Sequence, residues 1–387
     1  MNGSFTAPAG ALVSAVKYTA RWLDTRPANP VLGGLLFEVG AGRLAISSQS
    51  ELATGRALLA VEGDAEGRFV VAGRLIDQIV GTFPDRPVTF MQDGPDEAIV
   101  LTAGKFRATL PPMSEKDYPD LARVAPTAGV INGAALIDAV RRVGIGASRD
   151  DSNRIWLTGI QVTFDDDPDV AGGEMAYTVS LAATDTYRAV REVVEWSPNG
   201  EAAPIGESFV VPASVLIDAG EAFGGLGQVE IGWREGAFSL STATRSLVTQ
   251  TIGEAGKFPP VADLLALHRK RSHIVTVAAK ALAMPLKRAD MLAGGDFKHV
   301  TLELSAGRLG LRASGEGKGD GGEEVEAEYD GPDCSVITRS EVLHGILATA
   351  PGGLVELHLN PGSAVPVYAT SPSEPNWTHL FMPIRHT

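Results

Sequence analysis

The sequence predicts an α+β protein made of three copies of one unit, and three sets of internal matches predict it. Residues 69–90 (FVVAGRLIDQIVGTFPDRPVTF), 209–231 (FVVPASVLIDAGEAFGGLGQVEI) and 335–358 (SVITRSEVLHGILATAPGGLVELH) form the first set. Each reads as a strand, a helix with apolar spacing, a turn and an alternating strand. The equivalent positions Val71, Val211 and Ile337 divide the chain roughly into thirds. Residues 5–24, 129–148 and 275–294 form the second set. The third set closes two of the units, with Tyr118-Pro119 in 105–121 and Phe258-Pro259 in 245–261. The order strand–helix–strands–helix–strands therefore occurs three times, with two helices and about eight short strands per unit. Boundaries near 123–129 and 267–273 set the units at 1–126, 127–271 and 272–387.

Taken in order, each unit opens with a short strand such as Phe5-Thr6-Ala7. Small residues follow as an N-cap region, and then an amphipathic helix of about four turns. In the third unit Pro285 lies inside the apolar pattern and is expected to kink that helix or shorten its start. The acidic runs DDDPD (165–169) and EGKGDGGEEVEAEYD (316–330) fall between strand patterns. The 44 glycines and 24 prolines supply the turns that many short strands need.

Composition narrows the function. The chain has 387 residues, 44% of them hydrophobic, enough for more than one core. The N-terminus lacks a basic segment followed by an apolar one, and no window is long and apolar enough to span a membrane. A single cysteine, Cys334, excludes an internal disulfide framework and reads as a small buried residue at a strand start. These features predict a cytoplasmic protein. The net charge is −14, against a general nucleic-acid surface unless basic residues gather on one face. They do gather. The first helices carry Lys17 and Arg21, Arg141 and Arg142, and Lys280, Lys287 and Arg288, and the second-helix regions add Arg74 and Arg339. Equivalent helices that are basic in an acidic body suit phosphate contacts without base reading.

Catalytic and metal chemistry find no pattern. None of the seven histidines forms a metal-ligand spacing, and His268 and His273 flank a basic boundary loop where exposure is expected. GEGKGDGG (315–322) lacks the Ser or Thr after Lys that a phosphate loop needs, and reads as an exposed turn. DDDPD lacks the Gly and terminal Glu of a calcium loop and reads as a hairpin tip. No G-x-S-x-G elbow occurs. The expectation is a non-catalytic protein with no cofactor and no metal.

Six motifs, in order, bring one family into view: RPANPVLGGLLFEV (26–39), TLPPMSEKDYPDL (109–121), RIWLTGIQVTF (154–164), LAATDTYRAV (181–190), GKFPPV (256–261) and HLFMPIR (379–385). With them the whole chain resembles the bacterial DNA polymerase III β subunit, the replicative sliding clamp. The resemblance implies three clamp domains, and two head-to-tail copies closing a six-domain ring around double-stranded DNA without sequence preference. It implies a homodimer interface through Met291 and Leu292 of DMLAGGDF (290–297) on one copy and Phe106 on the other. It places Arg26 and Ile155-Trp156 near duplex DNA at the rim, beside the helix cations above.

The resemblance also implies a pocket for the short apolar tails of the DNA polymerase III α subunit, the clamp loader and repair factors. Its residues here would be Arg154, Leu157, Thr184, Asp185, Thr186, Tyr187, Arg188, Ala189, Pro259, Leu380, Met382, Pro383, Ile384 and Arg385. Thr184 and Arg188 would offer polar contacts, and Leu157, Pro259, Leu380 and Met382 the apolar wall. The chain departs from the family there. Gly-His is replaced by Thr186-Tyr187, the next Leu by Ala189, and a basic residue by Asp263. The changes leave open a specialised clamp paralogue with altered partner or inhibitor binding, serving repair or self-resistance. An unrelated three-repeat enzyme or binding protein is the remaining alternative.

Overall fold

The computed structural model describes all residues except 25, 84, 151, 153, 168–175, 201–203, 254, 270–272, 296–297, 361–364 and 385–387. The order of elements repeats three times. The first repeat runs β1 (Asn2–Ala7), α1 (Ala9–Ala20), β2 (Gly34–Gly40), β3 (Arg43–Gln49), β4 (Ala53–Ala60), the two-residue β5 (Glu62–Gly63), β6 (Gly67–Ala72), α2 (Gly73–Val80), β7 (Val88–Asp93), β8 (Ile99–Ala103) and β9 (Phe106–Leu110). The second runs β10 (Thr127–Asn132), α3 (Gly133–Gly144), β11 (Gly159–Asp167), β12 (Ala176–Thr184), β13 (Arg188–Pro198), β14 (Ser208–Pro212), α4 (Ala213–Phe223), β15 (Gln228–Arg234), β16 (Ala237–Ser241) and β17 (Arg245–Gln250). After α5 (Val261–His268), the third runs β18 (His273–Ala278), α6 (Ala279–Leu292), β19 (His299–Ser305), β20 (Arg308–Gly315), β21 (Gly319–Glu326), β22 (Cys334–Arg339), α7 (Ser340–Thr349), β23 (Leu354–Leu359), β24 (Val367–Ser371) and β25 (Glu374–Phe381).

The chain divides into two compact units. One comprises residues 1–134, 197–204 and 221–251. It holds the antiparallel sheet β5-β1-β7-β8-β9 and the run β10-β15-β16-β17-β4-β3-β2-β6. Its core is a cluster of four phenylalanines, in which the rings of Phe5 and Phe90 lie 5.1 Å apart and those of Phe37 and Phe69 4.9 Å apart. Burying such rings is worth about 1.5–3 kcal/mol each, which makes this cluster a principal support of the fold. Tyr18 of α1 ties that helix to β17 by donating its hydroxyl to the Ser246 carbonyl at 2.8 Å.

The other unit comprises residues 135–196, 205–220 and 252–387. Its long sheet runs β18-β23-β24-β25-β13-β12-β11-β14, and its short one β21-β20-β19-β22. The core beneath α6 and α7 gathers Leu282, Leu286, Leu302, Leu311, Ile346, Leu357 and Trp377, all buried.

Four details differ from the sequence reading. Pro285 does not end or shorten α6, which runs through it for 14 residues with the ring buried. The lost amide bond is offset by apolar burial of the ring against that core. The N-caps of α1 and α6 are Pro8 and Ala278, and no side chain caps either. Residues 319–326, read as part of an acidic loop, form the edge strand β21, whose Glu323, Glu324 and Glu326 are exposed. Charges on an edge strand discourage further pairing. Asp165–Asp167 belong to the end of β11, while the remainder of DDDPD falls outside the described residues. Cys334 does begin β22, half-buried, with its Sγ 3.6 Å from the Tyr329 hydroxyl.

Candidate functional site

The segment LAATDTYRAV forms the end of β12, a tight turn and the start of β13. Thr184 pairs with Ala189 across the hairpin, so four residues make the reversal. Side chains within the turn hold it. The Thr184 hydroxyl donates to the Arg188 carbonyl at 2.6 Å and accepts from the Thr186 amide at 3.2 Å. Asp185 Oδ1 accepts from the amides of Tyr187 at 3.0 Å and Arg188 at 2.9 Å. This is the local chemistry for which Thr and Asp are favoured in turns. Thr186 sits at φ 77°, a left-handed conformation that a β-branched residue adopts only under strain.

The turn is also fixed from outside. Arg188 Nε lies 3.0 Å from Asp185 Oδ2, and its Nη2 lies 3.6 Å from Glu341. The guanidinium of Arg339 stacks over the Tyr187 ring at 3.8 Å. The Tyr187 carbonyl accepts from the Met382 amide at 2.9 Å, which brings the segment after β25 alongside the turn. Arg188 pairs with Phe381 and Ala189 with Leu380.

Below the turn lies an apolar floor. Ala189, Leu380, Phe258, Val261, Leu265 and Tyr368 form one buried cluster, with Trp156 packed against it. Tyr187 is 50% exposed and Met382 47% exposed, so the two large side chains at the rim face outward above that floor. Behind it His379 is buried against Trp377, with ring centroids 4.4 Å apart. Burial and then the charge of Arg188 hold its imidazole down to about 3, so it is neutral at physiological pH. The arrangement supplies an apolar surface flanked by fixed polar groups. Among the described residues it presents no nucleophile paired with a base.

Of the expected pocket residues, the structure brings Thr184–Ala189, Leu380 and Met382 together around this turn. Pro383 and Ile384 continue from Met382, and Ile384 donates its amide to the Ile337 carbonyl at 2.8 Å. Pro259 follows Phe258 of the floor. Leu157 is buried in a 3-10 turn over Ile155–Thr158, with Arg154 exposed at its start. Arg385 lies outside the described residues. Sequence reading missed Tyr368 and Glu341, which lie far from the turn in the chain and carry no motif.

The expected DNA-facing set divides. Lys17, Arg26, Arg74, Arg141, Lys280 and Lys287 are exposed. Arg21 pairs with Glu221 at 2.8 Å, and Arg288 pairs with Glu323. Three side chains have other partners. Arg339 covers Tyr187, Trp156 packs on the pocket floor, and Arg142 joins Glu192 on β13. Burial pushes the Glu192 carboxyl up to about 7, with Glu374 and Asp138 adding to the rise and Arg142 opposing it. Of the expected interface residues, Phe106 is 44% exposed beside Phe83 and Met291 is 65% exposed. Leu292 instead packs against the α6–α7 core. Part of DMLAGGDF, residues 296–297, lies outside the described residues.

Two family models match the chain. The N-terminal domain of the DNA polymerase III beta subunit matches residues 4–122, and its C-terminal domain matches residues 266–385. A beta sliding clamp of Streptomyces coelicolor is 29% identical over 385 residues, covering 97% of each chain. A beta sliding clamp of Micrococcus luteus is 31% identical over 277 residues, covering 71% of this chain and 84% of that one. Among solved structures, the Pseudomonas aeruginosa sliding clamp bound to griselimycin superposes with a TM-score of 0.87 at 20% identity, over the full length of both chains. With both terminal domains matched and clamps aligned along its length, the chain belongs to the DNA polymerase III β subunit family, the bacterial sliding clamps.

Proposed function

We propose that this sliding clamp closes as a head-to-tail homodimer around duplex DNA and tethers partners through the turn Thr184–Arg188. The observation that carries the tethering is the turn itself. A strained turn, cross-braced by Thr184, Asp185 and Glu341, stands over an apolar floor with Tyr187 and Met382 exposed at its rim. Fixed polar groups beside an apolar surface are what a groove for a short peptide needs. The partners are short tails with a Gln and two apolar anchors, from the DNA polymerase III α subunit, the clamp loader and repair factors.

The division into clamp domains 1–126, 127–271 and 272–387 goes with this reading. So does action in the cytoplasm, where the chromosome is. DNA is held by topology, and the exposed Lys17, Arg141, Lys280 and Lys287 meet phosphates through screened, sequence-blind contacts weak enough to slide on. No chemical step belongs to the protein.

The test is a fluorescence-anisotropy titration with a labelled Gln-Leu-x-Leu-Phe peptide. Saturable micromolar binding, weakened at least about tenfold by Met382→Ala, is expected. Absence of binding to the folded protein would favour a second reading, a specialised paralogue with other partners. The observation on its side is the replacement of the family's Gly-His and Leu by Thr186-Tyr187 and Ala189.

A further inference from the structure

We propose that the first compact unit holds a second peptide groove, equivalent by internal repeat to the one at Tyr187 but suited to an acidic segment with one aliphatic side chain. The inference rests on the tail-binding reading of the first site. The hairpin β3–β4 reverses with the same register as β12–β13. Gln49 pairs with Thr54 as Thr184 pairs with Ala189. Across to the next strand, Thr54 pairs with Val248 as Ala189 pairs with Leu380. The turn is capped at the same position. Ser50 Oγ accepts from the Ala53 amide at 3.1 Å, where Asp185 Oδ1 accepts from that of Arg188 at 2.9 Å. Leu52 thus stands where Tyr187 stands. It is 47% exposed, and its carbonyl is tied to the neighbouring strand by the Thr249 hydroxyl at 2.7 Å.

Two cavities adjoin this turn. The first, of about 390 Å³, is lined by the turn itself, by Arg234 and Glu235 of the β15–β16 turn, and by Val248 and Gln250. The second, of about 340 Å³, shares Thr54, Ala122 and Val248 with it and continues past Arg56 and Arg123. The shared residues place the two cavities side by side along β4 and β17.

The chemistry differs from that of the first site. Thr54 stands in the floor where Ala189 does and Val248 where Leu380 does, so the floor gains a hydroxyl, and at the rim the exposed Gln250 follows Val248 as Met382 follows Leu380. Glu51 and Glu235 line only the first cavity. Arg56 and Arg123 line only the second, which has no acidic lining residue among the described residues, and Arg56 is shared with Glu38 at 3.1 Å. On a chain of net charge −14, a cavity with arginines and no acid is a local exception, complementary to carboxylates. An extended peptide would place its carboxylates by Arg123 and an aliphatic side chain on Leu52.

The probe is a fluorescein-labelled Leu-Glu-Asp-Glu peptide, titrated by anisotropy into the full chain and into the variants Leu52→Glu, Arg123→Glu and Met382→Ala. The expected result is saturable binding, about tenfold or more weaker in both Leu52→Glu and Arg123→Glu, unchanged in Met382→Ala and weakened by added salt. Absence of saturable binding, retention in either groove variant, or loss in Met382→Ala would overturn the proposal. Thermal melts check that each variant is folded, and Leu52→Gln and Arg123→Gln replace any that is not. The Gln-Leu-x-Leu-Phe peptide, run on the same proteins, separates the two readings. If it fails to bind while the acidic probe responds to Leu52→Glu, the tail site at Met382 falls and the second groove stands.

Discussion

Thr186 holds a left-handed φ of 77° in a turn whose amides are held by the Thr184 hydroxyl and the Asp185 carboxylate. A β-branched residue there costs on the order of 1–2 kcal/mol, which a glycine would largely recover at some entropic cost. Thr186→Gly should therefore raise the stability by about 0.5–1 kcal/mol, read as a higher denaturant midpoint at unchanged slope. Two buried titratable groups act in opposite directions. His379 is depressed to about 3, so its stabilisation is complete above the ordinary imidazole value near 6.5 and is lost as pH falls below it. Glu192 is raised to about 7, so its contribution is complete below the ordinary value of 4.5 and is lost as pH rises toward 7. Between about pH 4.5 and 6.5 the two slopes, each up to about 1.4 kcal/mol per pH unit, nearly cancel. Glu192→Gln removes one of them. Its unfolding free energy should then rise with pH across that window, measured by urea titration at several pH values, while the parent stays nearly level by comparison.

At the level of elements, α3 is anchored to its sheet by a charge pair. Arg142, two turns along the helix, reaches Glu192 on β13, whose side chain is only 6% exposed. Above its shifted value near 7 the Glu192 carboxyl is charged, and removing Arg142 there leaves a buried charge without compensation, a larger loss than deleting an exposed cation. At a pH above 7 Arg142→Ala should cost about 2–3 kcal/mol, whereas Lys17→Ala on α1 should change stability by less than about 0.5 kcal/mol. Thermal melts of the two variants distinguish a structural arginine from an exposed lysine. α6 follows the same logic with apolar groups. Its proline survives mid-helix because the core beneath Leu282 and Leu286 holds the element together from one side.

For the whole molecule, the predictions concern assembly and DNA. A head-to-tail dimer has a mass near twice 40.5 kDa, measurable by light scattering. Met291, exposed on its own chain, is the side chain such an interface would cover, so Met291→Glu should shift the population to monomer. Replacing Lys280 and Lys287 with Ala should weaken DNA association uniformly across sequences. It should also lower the salt slope by about one unit for each phosphate that is no longer neutralised.

The threefold repeat, the strand and helix order, the basic helices and the turn LAATDTYRAV are all legible in the sequence. Each depends on local periodicity, on short-range turn chemistry or on composition, which a chain carries in its neighbours. The edge strand β21 is less so, because its glycines and acids look like a loop until β20 offers them a ladder. The partners of Arg142, Trp156 and Arg339 were decided only by tertiary structure. A cation or an indole takes the carboxylate or the apolar cluster that packing sets beside it, and Glu192, Leu380 and Tyr187 reach them from distant parts of the chain.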